Sequence, residues 1–424
     1  MPDSPKVCLM RCPDYRPEHV ERAVASGLKQ LNVPIRGKVV IKPNLVLAHA
    51  GKAPSAYTRS EIVAGLLEQI RKEATEISIL EKSGVGVSTH VMFRRAGYRT
   101  LSERYGVRLC PLEEAEKIRV PLTRGKVHQS LLIGKQITEA DTLIFMPKLK
   151  SNVLSHGITA ALKLNIGSLD DRERMWHHDH LLDEKIVDIL EPVYPHLIVT
   201  DAVEIAMGGN QMTEHGYPLG LIIVSNNPLA HDLVAAALLH LEPRQIGHLD
   251  AAIRRGYTPV ALENIEILGD YPLDEIREKT VNLSTGMIRV EDFASPLDIH
   301  SGTPYCTGGC HGIFLDWLYM LKDRSPQRLT QLPKIPVVIG QTEEEIRAPQ
   351  FLLIGDCAAR SPHLHGKAIK IPGCPPTHRD LILKMGLRTR VLAPFIRADM
   401  VWDAYVIYPW RKWLKRRRSF GHDR

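Results

Sequence analysis

Short apolar segments alternate with longer segments of helical periodicity over the first two thirds of the chain. The apolar segments, each of strand length, are Lys6–Arg11, Gly37–Val46, Ile77–Leu80, Thr142–Met146, Leu197–Thr200 and Leu219–Val224. Apolar residues with helical spacing lie between them, at Pro17–Leu31, Glu61–Lys72 and Met92–Tyr105 and in the segment that ends at Glu191. Strands that alternate with helices are typical of a mostly parallel sheet covered by helices on both faces. We therefore predict an α/β fold for residues 1–290.

Cations and amides follow two of the predicted strands at the point where each strand ends. Lys42 and Asn44 come at the end of the second strand, and Lys148 and Lys150 follow the strand that ends at Met146. Ligands of open α/β sheets bind at the carboxyl ends of the strands, so these side chains are expected to meet in one crevice. A crevice lined with lysines favours an anionic ligand.

A second group of polar residues surrounds a predicted helix that begins near Ile158. Thr159 and Lys163 are four residues apart and would share one face of this helix, which ends at Asn165. His156 precedes the helix, and a histidine or a lysine could deliver a proton to a bound substrate. The candidate catalytic residues are therefore Lys148, Lys150, His156 and Lys163.

Two carboxylates complete the candidate substrate site. Asp201 ends the strand Leu197–Thr200, and Asp232 lies on a later helix. Each could orient a lysine or bind a hard cation, and helix capping or a surface ion pair is the alternative for each. The candidate substrate-binding residues are Lys42, Asn44, Asn165, Asp201 and Asp232.

The densest histidine run is Trp176–His180, which contains His177, His178 and His180. Imidazole groups bind zinc, iron or nickel, but neighbours in a run point in different directions, so at most two would converge. A second metal site, a polar loop with one histidine that faces the substrate, and a plain surface segment all stay open as hypotheses.

These motifs resemble the domain of unknown function 362 family from about Lys6 to Thr258. The segments that carry the resemblance are Ile41–Asn44, Pro147–Lys150, Thr159–Gly167, Asp201 with the glycine loop that follows it, and Asn227–Asp232. The family is often coupled to iron–sulfur modules, so the resemblance implies an α/β domain with a redox role. The family pattern usually has a histidine soon after the two lysines, where this chain has Ser151 and Asn152. His156 would take its place.

Four of the seven cysteines lie in the segment from Ser301 to Arg379, each on a turn. Cys306 and Cys310 precede an apolar run that predicts a helix, whose N-terminus would favour thiolates. Cys357 follows a predicted strand, and Cys374 stands between a glycine and two prolines. Clustered thiols in a reducing compartment more often hold metal than form disulfides. By contrast, Cys8 and Cys110 have apolar neighbours and are predicted to be core residues.

The spacing of these four cysteines favours an iron–sulfur cluster over zinc. One close pair is followed by two isolated cysteines, after 46 and then 16 intervening residues, whereas zinc knuckles usually present two close pairs. Zinc binding and unligated structural cysteines remain the alternatives. The three loops resemble the cluster-binding loops of the small subunit of nickel–iron hydrogenases and of the related quinone-reductase subunit. This resemblance implies a 4Fe–4S cluster on Cys306, Cys310, Cys357 and Cys374.

The positive charge of the chain is concentrated at its C-terminus. The formal net charge is +7, and the last 16 residues contribute +6 of it, from seven Lys or Arg against Asp423. The rest of the chain is therefore close to neutral and does not suit general nucleic-acid binding. Trp410 and Trp413 alternate with these cations, which suits an anionic lipid surface or an acidic groove of a partner. A solvated, disordered basic end is one alternative, and weak, salt-sensitive binding of nucleic acid by the tail is another.

The chain is expected to be cytoplasmic, with peripheral membrane contact through this tail. Its N-terminus is polar, and it has no run of about 18 apolar residues. We predict three parts, an α/β domain at 1–290, a cysteine-rich iron–sulfur module at 291–380 and an amphipathic basic tail at 381–424. The leading hypothesis is an iron–sulfur oxidoreductase that acts on a small anionic substrate and exchanges electrons with a redox partner protein. An electron-transfer or scaffold subunit without a substrate site, and a zinc-dependent non-redox enzyme, are the alternatives.

Overall fold

The computed structural model describes residues 4–49, 51, 53–154, 157–209, 215–389 and 401–419, so the candidate His156 lies outside the described residues. The strands are β1 Lys6–Arg11, β2 Gly37–Pro43, β3 Ala74–Glu81, β4 Arg108–Pro111, β5 Lys117–Pro121, β6 Ser130–Gly134, β7 Thr142–Met146, β8 Lys148–Asn152, β9 Gly157–Thr159, β10 Leu197–Met207, β11 His215–Ser225, β12 Glu266–Gly269, β13 Asp298–Ser301, β14 Pro336–Ile339, β15 Ile346–Ile354 and β16 Leu364–Ile371. The α-helices are α1 Pro17–Leu31, α2 Ser60–Ile70, α3 Thr89–Arg95, α4 Tyr98–Tyr105, α5 Lys135–Thr138, α6 Ala161–Leu164, α7 Asp171–Met175, α8 Leu182–Leu190, α9 Pro228–Leu238, α10 Gly247–Arg254, α11 Leu273–Thr280, α12 Cys310–Arg324, α13 Pro326–Thr330, α14 His378–Thr389 and α15 Tyr408–Ser419.

The larger sheet has the strand order β12-β1-β11-β10-β7-β2-β3-β4, and β8 and β9 extend it beside β10. β11 runs antiparallel to both of its neighbours, and β9 runs antiparallel to β8. The other pairs, from β10 through β7, β2 and β3 to β4, are parallel. Polar residues that follow β2, β3 and β7 therefore emerge at the same edge of the sheet.

Both faces of this sheet are covered, as β1 illustrates. Val7 and Leu9 pack into the core under α6, α8, α9 and α10, whereas Cys8 and Met10 pack into the core under α1, α2 and α3. Alternate residues of a strand point to opposite faces, so one strand contributes to both cores. The predicted α/β fold with a mostly parallel sheet between helices is confirmed, and Cys8 is a core residue as predicted.

A second sheet contains β13, β14, β15 and β16, in that order and all parallel. The buried face of α12, which includes Phe314 and Trp317, packs against it. Cys306 follows β13, Cys357 follows β15 and Cys374 follows β16, so three of the four cysteine positions come just after strand ends. Parallel strands bring these ends to one edge of the sheet.

Two predicted helices differ from the structure. The helix expected over Met92–Tyr105 is divided into α3 and α4 by Gly97, which has φ +80° and cannot continue a right-handed helix. The helix expected near Ile158 begins later, because residues around Ile158 form the short strand β9 beside β8. Only Ala161–Leu164 is α-helical, and a 3-10 turn follows at Asn165–Ser168.

The C-terminal helical segment, residues 401–419, lies against the α/β body. It contains a π-helical turn at Asp403–Ile407 and continues as α15. An Asp403–Arg95 ion pair of 2.8 Å and an Arg411–Glu114 ion pair of 2.9 Å connect it to that body. Among the described helices, none has the length and apolar character needed to cross a membrane.

Candidate functional site

The four predicted cysteines meet at one cavity. This cavity is lined by Cys306, Cys310, Cys357 and Cys374. Asp179 and His180, from the histidine run, also line it. Cys306 and Cys310 belong to the turn that starts α12, and the other two belong to the loops after β15 and β16. The topology of the second sheet therefore gathers thiols that are far apart in the sequence.

Glycine at position 355 lets the loop after β15 approach the first cysteine pair. A Cβ at Gly355 would lie 2.5 Å from the sulfur of Cys310, so a larger residue would collide with that sulfur. The φ of Gly355 is +84°, which also disfavours any residue other than glycine. Gly373, with φ +129°, stands immediately before Cys374, and a Cβ there would collide with the backbone of Pro375 and Pro376. The glycine at position 355 thus leaves room beside the sulfur of Cys310 that a larger residue would fill.

Burial favours the protonated form of Cys306 and Cys310. Burial raises the pKa of Cys306 to about 12, and the neighbouring Asp179 and cysteines act in the same direction. Burial and the neighbouring cysteines also raise the pKa of Cys310. For these two thiols burial acts against the helix dipole, and the expectation that the α12 N-terminus favours thiolates stays a prediction. A bound cationic centre would reverse this balance, since metal binding deprotonates its thiol ligands. Within the described ranges, no three His, Cys, Asp or Glu side chains are grouped closely enough to hold a single metal ion.

A second cavity, of about 90 Å³, lies at the carboxyl edge of the larger sheet. Four residues proposed from the sequence line it, namely Lys42, Asn44, Lys150 and Lys163. The other polar residues that line it are Glu81, Asn152, Thr159, Arg174 and His178. Four cations against one carboxylate make this cavity suited to an anion.

Lys42 and Glu81 form a fully buried pair in this cavity, with 2.5 Å between Nζ and Oε2. Burial raises the pKa of Glu81 to about 7, and burial also lowers the pKa of Lys42. The pair therefore carries a charge of +1 when both groups are protonated and no net charge after one proton leaves. A proton held in this way, near neutral pH, is suited to acid–base chemistry.

Two polar atoms that line the cavity lack a hydrogen-bond partner among the described residues. They are Nδ2 of Asn44 and Oγ1 of Thr159, and both are buried. Buried polar atoms are nearly always hydrogen-bonded, so an unpaired amide and hydroxyl at a cavity wall indicate the place of a ligand or of water. Both atoms can donate a hydrogen bond, which again fits an anion.

Glu81 and Arg174 were not singled out as site residues from the sequence, whereas His178 belongs to the histidine run for which one histidine facing the substrate was considered. Glu81 is the last residue of β3, so the rule that ligands bind at strand ends could have identified it. Arg174 lies on the short helix α7, and its guanidinium donates to the carbonyl groups of Lys82 and Ser83 at 3.2 and 2.9 Å. The sequence contains no signal for this last contact, because it joins segments that are far apart in the chain.

Lys148 and Asp201 belong to a different buried group. Lys148 Nζ lies 3.0 Å from Asp201 Oδ1 and 2.9 Å from the hydroxyl of Tyr15, which itself donates to Asp201. The backbone N–H of Arg59 donates to the other carboxylate oxygen of Asp201. Asp201 thus orients a lysine, one of the roles considered from the sequence, and the catalytic role of Lys148 stays a prediction.

Asp232 and Asn165 support the short helix that carries Lys163. The carboxylate of Asp232 accepts hydrogen bonds from the backbone N–H groups of Ala161 and Leu162, at 2.8 and 3.0 Å. Asn165 donates to the carbonyl of Ile186 at 2.8 Å. These contacts correspond to the helix-capping alternative for Asp232, and they fix the position of α6 beside the cavity.

The histidine run separates the two cavities. His178 lines the lysine-rich cavity, and the next two residues, Asp179 and His180, line the cysteine cavity. Nδ1 of His178 lies 2.7 Å from the carbonyl oxygen of Gly308, between the first two cysteines. Burial lowers the pKa of His178 to about 3, so the ring is neutral and Nδ1–H donates this bond. His177 stacks on Trp176 instead, so neighbouring histidines point apart as expected.

Comparison with protein families identifies the part of the chain that contains the lysine-rich cavity. The model of the domain of unknown function (DUF362) matches residues 39–237. A DUF362 domain thus covers this region. All the candidate catalytic and substrate-binding residues lie inside the DUF362 match, whereas the four cysteines follow it in the sequence.

Solved structures resemble the chain more distantly, and a search of the curated proteins finds no match. The lactate racemase apoprotein from Thermoanaerobacterium thermosaccharolyticum shares 12% identity with a TM-score of 0.36, covering 79% of this chain and 69% of that one. A Thermotoga maritima protein shares 11% identity with a TM-score of 0.33, covering 80% and 73% of the two chains. The DUF362 match therefore locates a domain, and the chemistry has to be inferred from the residues that line the two cavities.

Proposed function

We propose that this protein is an iron–sulfur oxidoreductase that acts on a small anion bound in the lysine-rich cavity. The observation that carries the proposal is the convergence of Cys306, Cys310, Cys357 and Cys374 on one cavity, separated from the lysine-rich cavity by His178 and Asp179. Neither feature alone indicates a redox enzyme. A thiol site and an anion site on opposite sides of one short segment favour an enzyme over a simple binding protein.

The four cysteines are the residues that would hold a 4Fe–4S cluster. Their sulfur atoms are soft ligands, and Gly355 leaves room beside the sulfur of Cys310. When bound, such a cluster would supply or accept single electrons. Cys374 is exposed, so the cavity reaches the surface, and this position supports electron exchange with a redox partner protein.

The residues of the lysine-rich cavity would bind the substrate and hold its protons. Lys150, Lys163 and Arg174 would offset the charge of a carboxylate, phosphate or similar group. Asn44 Nδ2 and Thr159 Oγ1 would donate hydrogen bonds to it. The Lys42–Glu81 pair would give or take the proton that accompanies each change in substrate charge.

The hydrogen bond from His178 to Gly308 connects the walls of the two cavities. One residue lines the anion cavity, and its imidazole donates to the backbone of the loop that carries Cys306 and Cys310. Substrate and electron source would therefore lie on opposite sides of one side chain. Burial, together with the nearby cations Lys185, Lys163 and Arg174, keeps His178 neutral, so the ring can donate this bond.

Anaerobic purification followed by iron and acid-labile sulfide analysis tests the cluster. We expect both elements in the purified protein, with a visible absorption band and a paramagnetic-resonance signal after reduction. The Cys357→Ser variant should lose the visible band, because it removes one of the four thiolate ligands. Cys8→Ser is the matched control, since Cys8 is a buried core cysteine far along the chain from this cavity.

Three outcomes would contradict parts of the proposal separately. A colourless protein with one zinc ion per chain would replace the redox proposal with a zinc site. A visible band that survives Cys357→Ser but not Cys8→Ser would mean that the cluster is elsewhere. A cluster together with no affinity for sulfate or phosphate would leave an electron-transfer subunit without its own substrate.

A further inference from the structure

The C-terminal helical segment exposes an unusual number of large apolar side chains. Six of the fourteen exposed large hydrophobic residues in the described part of the chain lie between residues 401 and 413. They are Val401, Trp402, Tyr405, Val406, Trp410 and Trp413, exposed by 38 to 58%. Trp402, Val406, Trp410 and Trp413 repeat at intervals of three or four residues, so they share one side of the helical segment.

The opposite side of this segment is held against the protein. Asp403 is buried and pairs with Arg95, and Arg411 pairs with Glu114 on the 3-10 turn before β5. The Tyr408 hydroxyl donates to the carboxylate of Asp171, at the start of α7. These contacts fix the rotation of the helical segment, so its aromatic side is presented outward.

A basic cavity of about 700 Å³ lies beside this aromatic side. Arg94, Arg99, Arg108 and Arg411 line it, next to the ring of Trp410, and Glu103 is the acidic residue among them. Arg94 and Arg99 form no ion pair with any residue that the structure describes. The chain continues from this cavity into Lys415–Arg418, which adds four cations directly after Trp413.

We infer that this surface docks the protein onto a membrane that contains anionic phospholipid. Tryptophan and tyrosine side chains prefer the boundary between lipid headgroups and acyl chains, where an apolar ring and a polar edge are both satisfied. Arginines beside them would receive lipid phosphates, and each cation near an anionic surface strengthens binding. An acidic protein groove would match the charges but would not require four outward aromatic rings. The helical segment then lies along the membrane surface, anchored to the body by its other side.

Flotation with lipid vesicles tests the aromatic part of the surface in the full-length protein. We expect flotation with vesicles of phosphatidylcholine mixed with phosphatidylglycerol, and much weaker flotation with phosphatidylcholine alone. The Trp402→Ser/Trp410→Ser/Trp413→Ser variant should lose on the order of tenfold or more of this binding, because it removes the residues that enter the interface. Tyr194→Ser/Val281→Ser, which removes exposed apolar side chains elsewhere, should bind like the original protein.

A charge-reversal pair tests the basic cavity. Arg94→Glu/Arg99→Glu should lower binding to the anionic vesicles on the order of tenfold or more. Lys334→Glu/Lys367→Glu changes the net charge equally on the exposed surface of the second sheet, and it should have little effect. Circular dichroism checks that every variant is folded.

Two results would overturn the inference. In one, the original protein fails to float with anionic vesicles. In the other, both charge-reversal pairs weaken binding equally, which would show attraction by net charge without a docking surface. The iron and sulfide content is measured on the same samples, so failure here is independent of the proposed redox function.

Discussion

The cysteine cavity and the lysine-rich cavity are built in different ways. The cysteine cavity takes its ligands from short side chains on loops at one edge of a four-stranded parallel sheet, with glycines that let the backbone approach. The charged groups of the lysine-rich cavity are long side chains. Some of them belong to strands of the larger sheet and others to short helices. In the first, position in the backbone decides which groups meet. In the lysine-rich cavity, the residue with which each charged side chain pairs decides which groups meet.

This difference explains how the two cavities depend on their surroundings. A buried thiol can remain neutral without a partner, so the cysteines need no counter-charge until a metal binds. A buried ammonium or carboxylate is costly without a partner, so Lys42 requires Glu81, and Lys148 requires Asp201 and Tyr15. The lysine-rich cavity should therefore be much more sensitive than the cysteine cavity to the loss of one side chain.

The largest expected effect follows from breaking the buried ion pair. Lys42→Met leaves the Glu81 carboxylate buried without its cation and should lower the free energy of unfolding at pH 8 by about 3–5 kcal/mol. Cys310→Ser, in protein freed of metal, should cost only about 1 kcal/mol, because a neutral buried group is exchanged for another. Denaturant unfolding monitored by circular dichroism measures both.

The double variant Lys42→Met/Glu81→Gln is the control for this comparison. It removes both charges together and should recover most of the stability that Lys42→Met loses, since no uncompensated charge remains. If the single and double variants were equally stable, the pair would carry no electrostatic coupling, and the contrast between the two cavities would be lost.

The sequence predicts the cysteine cavity more completely than the lysine-rich one, and the reason is physical. Glycine, proline and cysteine in loops after strands fix backbone positions, so all four cysteines could be named in advance. Long side chains reach partners that depend on the register of neighbouring strands. Lys148 faces Asp201 on β10, and this pairing takes it into a separate buried group. No pattern along the chain specifies that register.

The layers of the fold, a mostly parallel sheet with helices on both faces, could be predicted from the sequence. Strands such as β1 and β7 begin and end as predicted, because their apolar residues and flanking turns are local signals. The strand β9 was missed, since Gly157–Thr159 pairs with β8 through contacts that only the folded chain brings together. Thr159 and Lys163 nevertheless line one cavity, although not as neighbours on one helix.

The next expected effect concerns anion affinity, and it separates the residues of the cavity from those of the neighbouring buried group. Lys163→Met should weaken the binding of sulfate by on the order of tenfold, because it removes one of the four cations that line the cavity. Isothermal titration calorimetry with sulfate at pH 6 measures this. Lys148→Met is the matched comparison, because this lysine pairs with Asp201, and at equal folding it should leave the affinity nearly unchanged. A larger loss for Lys148→Met than for Lys163→Met would mean that the two groups form one site.

The smallest expected effect is the pH dependence of the same affinity. Glu81 keeps its proton up to a pKa of about 7, so the Lys42–Glu81 pair carries +1 below that pH and no net charge above it. Sulfate keeps its charge over this range, so its affinity should fall several-fold as pH rises from 6 to 8. Burial lowers the pKa of Lys185 to about 7, and this lysine donates to the carbonyl of Arg174, so it adds to the fall in the same direction.

Lys42→Met/Glu81→Gln distinguishes the contribution of the pair from that of Lys185. This variant should bind sulfate with a shallower pH dependence, because the proton of the pair is gone while Lys185 still changes its charge near neutral pH. A pH dependence that is unchanged in the double variant would show that the pair does not hold the titrating proton. The acid–base role would then have to be taken by Lys185, whose ammonium contacts the backbone of the segment between the two cavities and not the cavity itself.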